Sequence, residues 1–229
     1  MISLRRLAPL FLTALLALAA GCGSDTTTPT ATNPQCDYPT STQPAAKQAQ
    51  KPPGDLPQDE PTEETIATNR GDVKVSFDAD KAPCTVNSFV SLAKQGYFDG
   101  TKCHRLTTQG LFVLQCGDPS ATGSGGPGYE FGDELVDQDP RLQPCQTDPG
   151  SGQDVCTYTT GTVAMANAGP DTNGSQFFLV YKDSPLPAAY TVFGRMSAAG
   201  VKVVQDIAKA GTGADGVAPA APVTITSVK

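Results

Sequence analysis

Two short stretches of this chain have residue types and spacing that could carry chemistry. The only histidine lies in Cys103-His104-Arg105, beside an arginine whose planar, permanently charged guanidinium is a strong hydrogen-bond donor. Residues 165–178 are low in charge, dense in Asn, Gly and Gln, and end in two phenylalanines. That composition fits neither an amphipathic helix nor an ordinary turn, so the stretch calls for a functional explanation.

Several other kinds of site are disfavoured. His104 could act as a general base, but a single histidine is more often structural. The glycine-rich residues 123–128 are not followed by Lys-Ser/Thr and lack the strand–helix context of a phosphate-binding loop. One histidine and no C-x-x-C pair argue against a metal, and we expect no cofactor. The net charge of −7 argues against nucleic acid, whose phosphates require a basic surface.

Many short strands and two separate helices are predicted to position these stretches. Alternating or apolar runs predict strands at 73–77, 111–115, 177–181 and 223–228. Helical spacing of apolar residues predicts one helix from 82 to 95, opened by Pro83, and a second helix from 201 to 209. This arrangement is typical of a closed barrel capped at its ends.

Four motifs in a fixed order make the chain resemble the cyclophilins, which catalyse cis/trans rotation of X-Pro peptide bonds. The motifs are Cys103-His104-Arg105, Gln115-Cys116-Gly117-Asp118-Pro119, residues 165–178, and Tyr190-Thr191-Val192-Phe193-Gly194. The resemblance implies a domain at 64–229 that is mainly β: a closed eight-stranded antiparallel barrel capped by two α-helices. It also implies a peptide groove on the outside of the barrel. Residues 106–112 and 133–158 are longer than in a minimal cyclophilin, and we expect both to border that groove.

The same resemblance assigns roles to individual residues. Arg105 matches the catalytic arginine, and Gln115 matches the glutamine that binds the substrate backbone and orients it. The residues that match the lining of the proline pocket are Phe112, Val113, Phe178 and Leu186. The residues that match the groove upstream of the proline are Ala166, Asn167 and Gln176. Tyr190 stands where many relatives have histidine, and both side chains present a ring and a polar tip.

The first 63 residues predict export and anchoring. Residues 1–21 combine Arg5 and Arg6 with an apolar run too short to span a bilayer comfortably. They resemble a bacterial lipoprotein signal in which lipid is attached to Cys22; a plain signal peptide is the alternative. Residues 22–63 are rich in Thr, Pro and Gln and predict a disordered tether, although Cys36 and Tyr38 allow part of it to dock. The expected location is the extracytoplasmic face of a bacterial membrane.

The remaining six of the seven cysteines indicate disulfides, because an even number is typical of exported chains. Six cysteines allow 15 pairings, so the sequence alone leaves the connectivity open. Position along the chain favours Cys103–Cys116, which would join the two strands of a hairpin, and Cys145–Cys156, which would close a Gly/Pro-rich loop. Cys36–Cys84 then remains by elimination.

The leading functional hypothesis is a monomeric, lipid-anchored peptidyl-prolyl cis-trans isomerase that acts on proline-containing peptides and helps exported proteins to fold. An alternative is a proline-peptide-binding module or holdase chaperone that has kept the groove without useful turnover. A third possibility is a surface adhesion or interaction lipoprotein that uses its acidic face or residues 133–158.

Overall fold

The structure is a computed structural model, and it describes residues 35–137 and 139–229. Two helices and eleven strands follow one another within this part of the chain. In order they are β1 (Glu63–Thr68), β2 (Gly71–Phe77), α1 (Pro83–Lys94), β3 (Arg105–Leu106), β4 (Val113–Cys116), β5 (Leu142–Thr147), β6 (Asp154–Tyr158), β7 (Thr162–Met165), β8 (Phe177–Val180), β9 (Ser184–Pro187), β10 (Val192–Met196), α2 (Ala198–Lys209) and β11 (Ile225–Val228). None of the described helices is both long and apolar enough to cross a membrane.

Eight of the strands form one curled antiparallel sheet in the order β11-β1-β2-β10-β7-β8-β4-β3. This confirms the predicted class, mainly β with two helices, but the prediction of a fully closed barrel is wrong. The edge strands β3 and β11 do not pair; their neighbourhoods are joined by a single bridge between Lys102 and Thr224 and by a few backbone hydrogen bonds. β3 is only two residues long, and its ladder is with β4, so the gap between β3 and β11 is bridged only by these contacts.

Alternation along the strands divides the apolar side chains between the two faces of the sheet. In β8, Phe177 packs in the large cluster on the inner face, whereas Phe178 packs in a second cluster on the outer face. β4 divides in the same way, with Leu114 on the inner face and Val113 on the outer face. Because successive strand residues point to opposite faces, this register decides which aromatic ring is available to a ligand.

Each helix covers part of the sheet, and α1 opens at the proline that the sequence indicated. α1 begins with Pro83, and its Phe89 ring stacks with Phe98 and meets Phe177 edge-on, so the helix seals the inner cluster. α2 begins three residues earlier than expected, because the Ser197 hydroxyl accepts a hydrogen bond from the Gly200 N–H and caps the helix.

Residues 142–158 contain structure that the sequence did not reveal. β5 and β6 form a hairpin within the long region 133–158, and β9 completes a separate three-stranded sheet in the order β5-β6-β9. Arg141 secures the region to the main sheet, because it pairs with Asp139 and Asp78 at 2.7 and 2.8 Å. This small sheet packs on the outer face of the large one, with Cys156 and Tyr158 in the outer cluster.

Residues 35–62, which belong to the predicted tether, lie against the domain in the structure, as Cys36 and Tyr38 allowed for part of that segment. Cys36 and Tyr38 are buried, and the Tyr38 hydroxyl donates to the Cys84 carbonyl at 2.7 Å. The Asn87 amide donates to the Pro53 carbonyl at 2.8 Å, so residues of α1 satisfy part of this segment's backbone. Polar, proline-rich residues become ordered here because the domain supplies partners that the segment lacks by itself. The signal at 1–21 and the lipid site at Cys22 lie outside the described residues.

Three disulfides pair the six cysteines as the sequence indicated. They are Cys36–Cys84, Cys103–Cys116 and Cys145–Cys156. The first fastens residues 35–62 to α1, the second joins β4 to the chain just before β3, and the third crosses the β5–β6 hairpin.

Candidate active site

A continuous chain of polar contacts begins at Arg105 on the outer face of the sheet. Arg105 lies opposite Gln115 in the β3–β4 ladder, and its Nη1 donates to the Gln115 Oε1 at 3.1 Å. The Gln115 amide nitrogen then donates to the Gln176 Oε1 at 2.8 Å. Gln176 in turn donates to the carbonyls of Gly123 and Gly125, both at 3.0 Å. The guanidinium is therefore held by side chains that are themselves held by a backbone loop.

Asp118 organises that loop from beneath. Its buried carboxylate accepts hydrogen bonds from the Ser120 hydroxyl and N–H and from the N–H groups of Thr122, Gly123 and Gly125, at 2.7 to 3.1 Å. Burial alone would raise the pKa of Asp118, but these hydrogen bonds outweigh burial and hold the pKa below its ordinary value. The charged carboxylate therefore fixes the carbonyls that receive Gln176.

An apolar cluster lies beside this chain. Val113 and Phe178 are buried in the outer cluster, and Leu186 and Tyr190 are half-buried against it. The rings of Phe178 and Tyr190 meet edge-on with centroids 5.6 Å apart. Beneath them, the buried Tyr158 hydroxyl donates to the Tyr190 carbonyl at 3.2 Å. The structure thus brings together four of the five residues that the sequence assigned to the proline pocket and its neighbour.

Phe112, the fifth, has a different environment. Its ring packs against Tyr181 with centroids 6.0 Å apart, and the Lys182 ammonium lies 4.3 Å from the ring centroid. The Ser184 hydroxyl accepts a hydrogen bond from the Phe112 N–H at 2.9 Å. Phe112 therefore lies outside the cluster formed by the other four residues, and the Lys182 ammonium covers part of its ring.

The residues predicted to lie upstream of the proline line a cavity of about 410 Å³. Ala166, Asn167, Gln115 and Gln176 face this cavity together. The Asn167 amide donates to the Ala189 carbonyl at 2.8 Å, and the Ala166 N–H donates to the Gln176 carbonyl at 2.9 Å. Its other walls come from residues 123–130 and, unexpectedly, from residues 41–44.

His104 lies beside the polar chain. Its side chain is buried, and within the described structure neither ring nitrogen has a hydrogen-bond partner of good geometry. Burial lowers the pKa of His104 below its ordinary value, and the Arg105 charge acts in the same direction, while the Asp118 charge and the neighbouring Gln176 side chain oppose it. A neutral, enclosed imidazole in this position is a structural group and is not placed to exchange protons with a substrate.

The sequence missed three contributors to this site. Asp118 was noted only as part of a motif, and Tyr158 only as the end of a long loop. Residues 41–44 were assigned to a tether. The signals for contact were Cys36 and Tyr38 just before them and the glycine-rich residues 123–128, against which they pack. Among the described residues, no group of three His, Cys, Asp or Glu side chains is placed to hold a metal ion. The site therefore presents hydrogen-bond donors beside an apolar cluster.

Comparison with known proteins identifies relatives over the same residues. The model of the family "Cyclophilin type peptidyl-prolyl cis-trans isomerase/CLD" matches residues 64–229. The chain is 50% identical over 200 residues to the probable peptidyl-prolyl cis-trans isomerase B of Mycobacterium tuberculosis, covering 84% of this chain and 63% of that protein. It is 51% identical over 201 residues to the corresponding Mycobacterium leprae protein, covering 85% and 66%. The chain thus spans slightly less than two thirds of the length of these relatives.

Solved structures show the same fold. A cyclophilin-type peptidyl-prolyl cis-trans isomerase of Cryptosporidium parvum matches with a TM-score of 0.57 and 27% identity, covering 73% of this chain and 95% of that one. The structure of that protein in the presence of the dipeptide Ala-Pro matches with the same score and identity, covering 72% and 96%.

Proposed function

Because the chain belongs to the family of cyclophilin-type peptidyl-prolyl cis-trans isomerases, we propose that it catalyses rotation about X-Pro peptide bonds in extracytoplasmic proteins. One observation carries the assignment. Register places Arg105 opposite Gln115, and Gln115 opposite Phe178, so three neighbouring strands present a donor, its support and an apolar ring in one row. With strands about 4.8 Å apart, the donor and the ring span roughly 10 Å, the scale of a prolyl dipeptide.

The reaction requires a preference for the twisted amide. Amide resonance resists rotation, so an unassisted X-Pro bond turns over in tens to hundreds of seconds. Twisting removes the resonance and leaves a lone pair on the proline nitrogen. The apolar wall of Phe178, Val113, Leu186 and Tyr190 holds the proline ring, while Arg105 donates to that nitrogen in the twisted state more strongly than in the planar one. Neither a nucleophile nor a proton transfer is needed.

Arg105→Ala tests this role. We expect kcat/KM for a proline tetrapeptide to fall by about 10- to 1000-fold, because the donor acts chiefly on the twisted state, while the unfolding midpoint stays unchanged. Arg70→Ala, which removes an exposed arginine bonded to the Pro222 carbonyl, is the matched control and should keep full activity. Equal turnover by the Arg105→Ala and unmodified proteins would disprove the role of Arg105. Peptide binding without measurable turnover by the unmodified protein would favour the binding-module hypothesis instead.

We propose the cell-surface setting on separate grounds. Three disulfides are typical of an oxidising compartment, and the segment before residue 35 resembles a lipoprotein signal that ends at Cys22. Cys22→Ser is expected to release the protein from membranes or to block its processing. Normal processing and membrane retention of that variant in fractionated cells would disprove the anchor and leave the isomerase proposal intact.

A further inference from the structure

Residues 39–46, here called the strap, lie along the loop that supports the catalytic polar chain. The Ser41 N–H donates to the Gly128 carbonyl at 3.1 Å, and the Ala46 N–H donates to the Gly126 carbonyl at 2.9 Å. In return, the Glu130 N–H donates to the Pro39 carbonyl at 3.0 Å. The strap therefore makes one antiparallel bridge, between Thr40 and Tyr129, and a further hydrogen bond to Gly126.

The contact is close because the loop presents glycines. A Cβ on Gly125 would lie 2.0 Å from the Asp118 Oδ1 and 2.8 Å from the Ala46 Cβ, and a Cβ on Gly128 would lie 3.0 Å from the Ala45 Cβ. These distances are shorter than real side chains tolerate without movement, so only glycine allows the strap to approach this far. Residues 123–128, whose sequence lacks the features of a phosphate-binding loop, thus form the surface against which the strap packs.

Both ends of the strap are tied to the body of the domain. On one side, the Cys36–Cys84 disulfide links the chain just before it to α1. On the other, the Lys47 ammonium donates to the carbonyls of Gly96 and Tyr97, both at 2.8 Å. These attachments hold residues 41–44 in place as a wall of the 410 Å³ cavity, opposite Ala166, Asn167 and Gln176.

The chemistry of that cavity is polar and acidic. Among the described residues that line it, Glu130 is the only charged one; the others carry hydroxyl, amide or glycine backbone groups or are apolar. The Ser41 hydroxyl donates to the Glu130 Oε1 at 2.6 Å and so fixes the carboxylate at the junction of strap and loop. A carboxylate accepts several hydrogen bonds, which leaves capacity for a ligand donor.

We propose that strap residues 41–44 and Glu130 form a specificity subsite that selects a cationic, hydrogen-bond-donating side chain upstream of the isomerised X-Pro bond. The inference rests on the proposed function, because it places the peptide in the groove that contains Arg105 and Gln176. A Lys or Arg side chain there gains the Glu130 carboxylate as a partner, whereas a Glu side chain meets a like charge. Substrate choice is thus set partly by a segment outside residues 64–229.

The test uses the full-length protein and pairs of proline peptides that differ at one position. Lys, Gln or Glu is placed at the second or the third residue before proline, with Ala elsewhere upstream. Both kcat/KM and the dissociation constant are measured for every peptide. We expect Lys to be favoured over Glu by about tenfold at one of the two positions. The Glu130 carboxylate attracts the Lys side chain and repels the Glu side chain, and the two effects add. The preference should shrink at high salt.

Two variants locate the preference. Glu130→Gln should reduce the Lys-to-Glu ratio to about twofold or less, and Ser41→Ala combined with Gln43→Ala should reduce it to about threefold. Asp59→Asn removes an exposed carboxylate of the same segment that does not line the cavity and should leave the ratio unchanged. Because the ratio compares two peptides on one preparation, partial unfolding of a variant cancels from it.

The outcomes separate the two proposals. A Lys-to-Glu ratio near one at both positions, in turnover and in binding, overturns the subsite. An unchanged ratio in the Ser41/Gln43 variant overturns the role of the strap, and an unchanged ratio in Glu130→Gln overturns the role of the carboxylate. Selective binding without turnover would support the subsite and disprove the isomerase activity. Loss of turnover on every peptide together with loss of binding overturns both.

Discussion

The two ends of the groove are built by different physical means. At the proline end, Val113, Phe178 and Leu186 are held by apolar packing between the large sheet and the small β5-β6-β9 sheet. At the upstream end, Gln115 and Gln176 are held by hydrogen bonds that lead to the Asp118 loop. Apolar packing depends on the volumes of the side chains and is insensitive to pH. The hydrogen-bonded chain depends on the carboxylate of Asp118 at its far end, so it is sensitive to pH.

The small sheet and the strap have parallel roles at these two ends. The small sheet contributes Leu186 to the proline end and is crossed by the Cys145–Cys156 disulfide. The strap contributes a wall to the upstream end and is tied by Cys36–Cys84. In both places, a segment that belongs to no strand of the large sheet shapes the groove, and a disulfide fastens it. The chemistry thus lies on the large sheet, while the additions decide what fits against it.

Among the changes that compare the two ends of the groove, the largest expected effect comes from removing a ring at the proline end. Phe178→Ala should lower kcat/KM by about 30- to 150-fold, because about 2–3 kcal/mol of apolar contact with the proline ring is lost. It should also lower the free energy of unfolding by about 3–5 kcal/mol. Peptide isomerisation, normalised to the folded fraction from denaturant titration, measures the first effect.

Phe177→Ala is the control for that comparison. The neighbouring ring is fully buried on the inner face, so its loss should cost a similar free energy of unfolding. Its kcat/KM per folded molecule should stay within about threefold of the unmodified protein. If the two variants lose activity equally, the outer face has no special role in substrate binding.

A smaller and pH-dependent effect is expected at the upstream end. Asp118→Asn should lower the free energy of unfolding at pH 7 by about 2 kcal/mol, because the buried loop loses a charged acceptor. Activity should fall about three- to tenfold, because Gly123 and Gly125 no longer hold Gln176 firmly. Thermal unfolding and peptide turnover at pH 7 measure both.

The contribution of Asp118 to the free energy of unfolding decreases as the pH falls. The pKa of Asp118 is lowered on folding, so its contribution to stability is present above the ordinary value of 3.8 and is lost as the pH falls below that value. The stability gap between the unmodified protein and Asp118→Asn should therefore narrow as the pH falls below about 4. A gap that stays constant down to pH 2 would contradict the charged carboxylate. Phe178→Ala should show no such narrowing.

The smallest effect is expected at His104. His104→Phe should change kcat/KM by less than about threefold and the free energy of unfolding by less than about 1 kcal/mol, because neither ring nitrogen has a partner to lose. The pH–rate profile should be the same for both proteins. A loss of activity above tenfold in the folded variant would mean that the imidazole supports the hairpin or the reaction directly.

The sequence predicted the elements that are specified by patterns of neighbouring residues. The strand at 73–77, the helix opened by Pro83 and the pairing of Cys103 with Cys116 followed from alternation, from proline at a helix start and from the proximity of two strands in a hairpin. The residues of the groove followed from ordered motifs. The β5–β6 hairpin could not be predicted, because its residues are mostly exposed and its strands depend on pairing with β9.

The sequence by itself determined the family resemblance and the class of fold, and it predicts Arg105 as the donor, since each rests on residue types at short spacing. Tertiary structure decided the rest. It left the curled sheet unclosed because β3 pairs with β4 and not with β11, and it placed Phe112 against Tyr181 and under Lys182. It also turned residues 39–46 from a presumed tether into a wall of the groove. Polar backbone has no preferred partner until a folded surface supplies donors and acceptors at the right distance, and no local pattern in the chain encodes that surface.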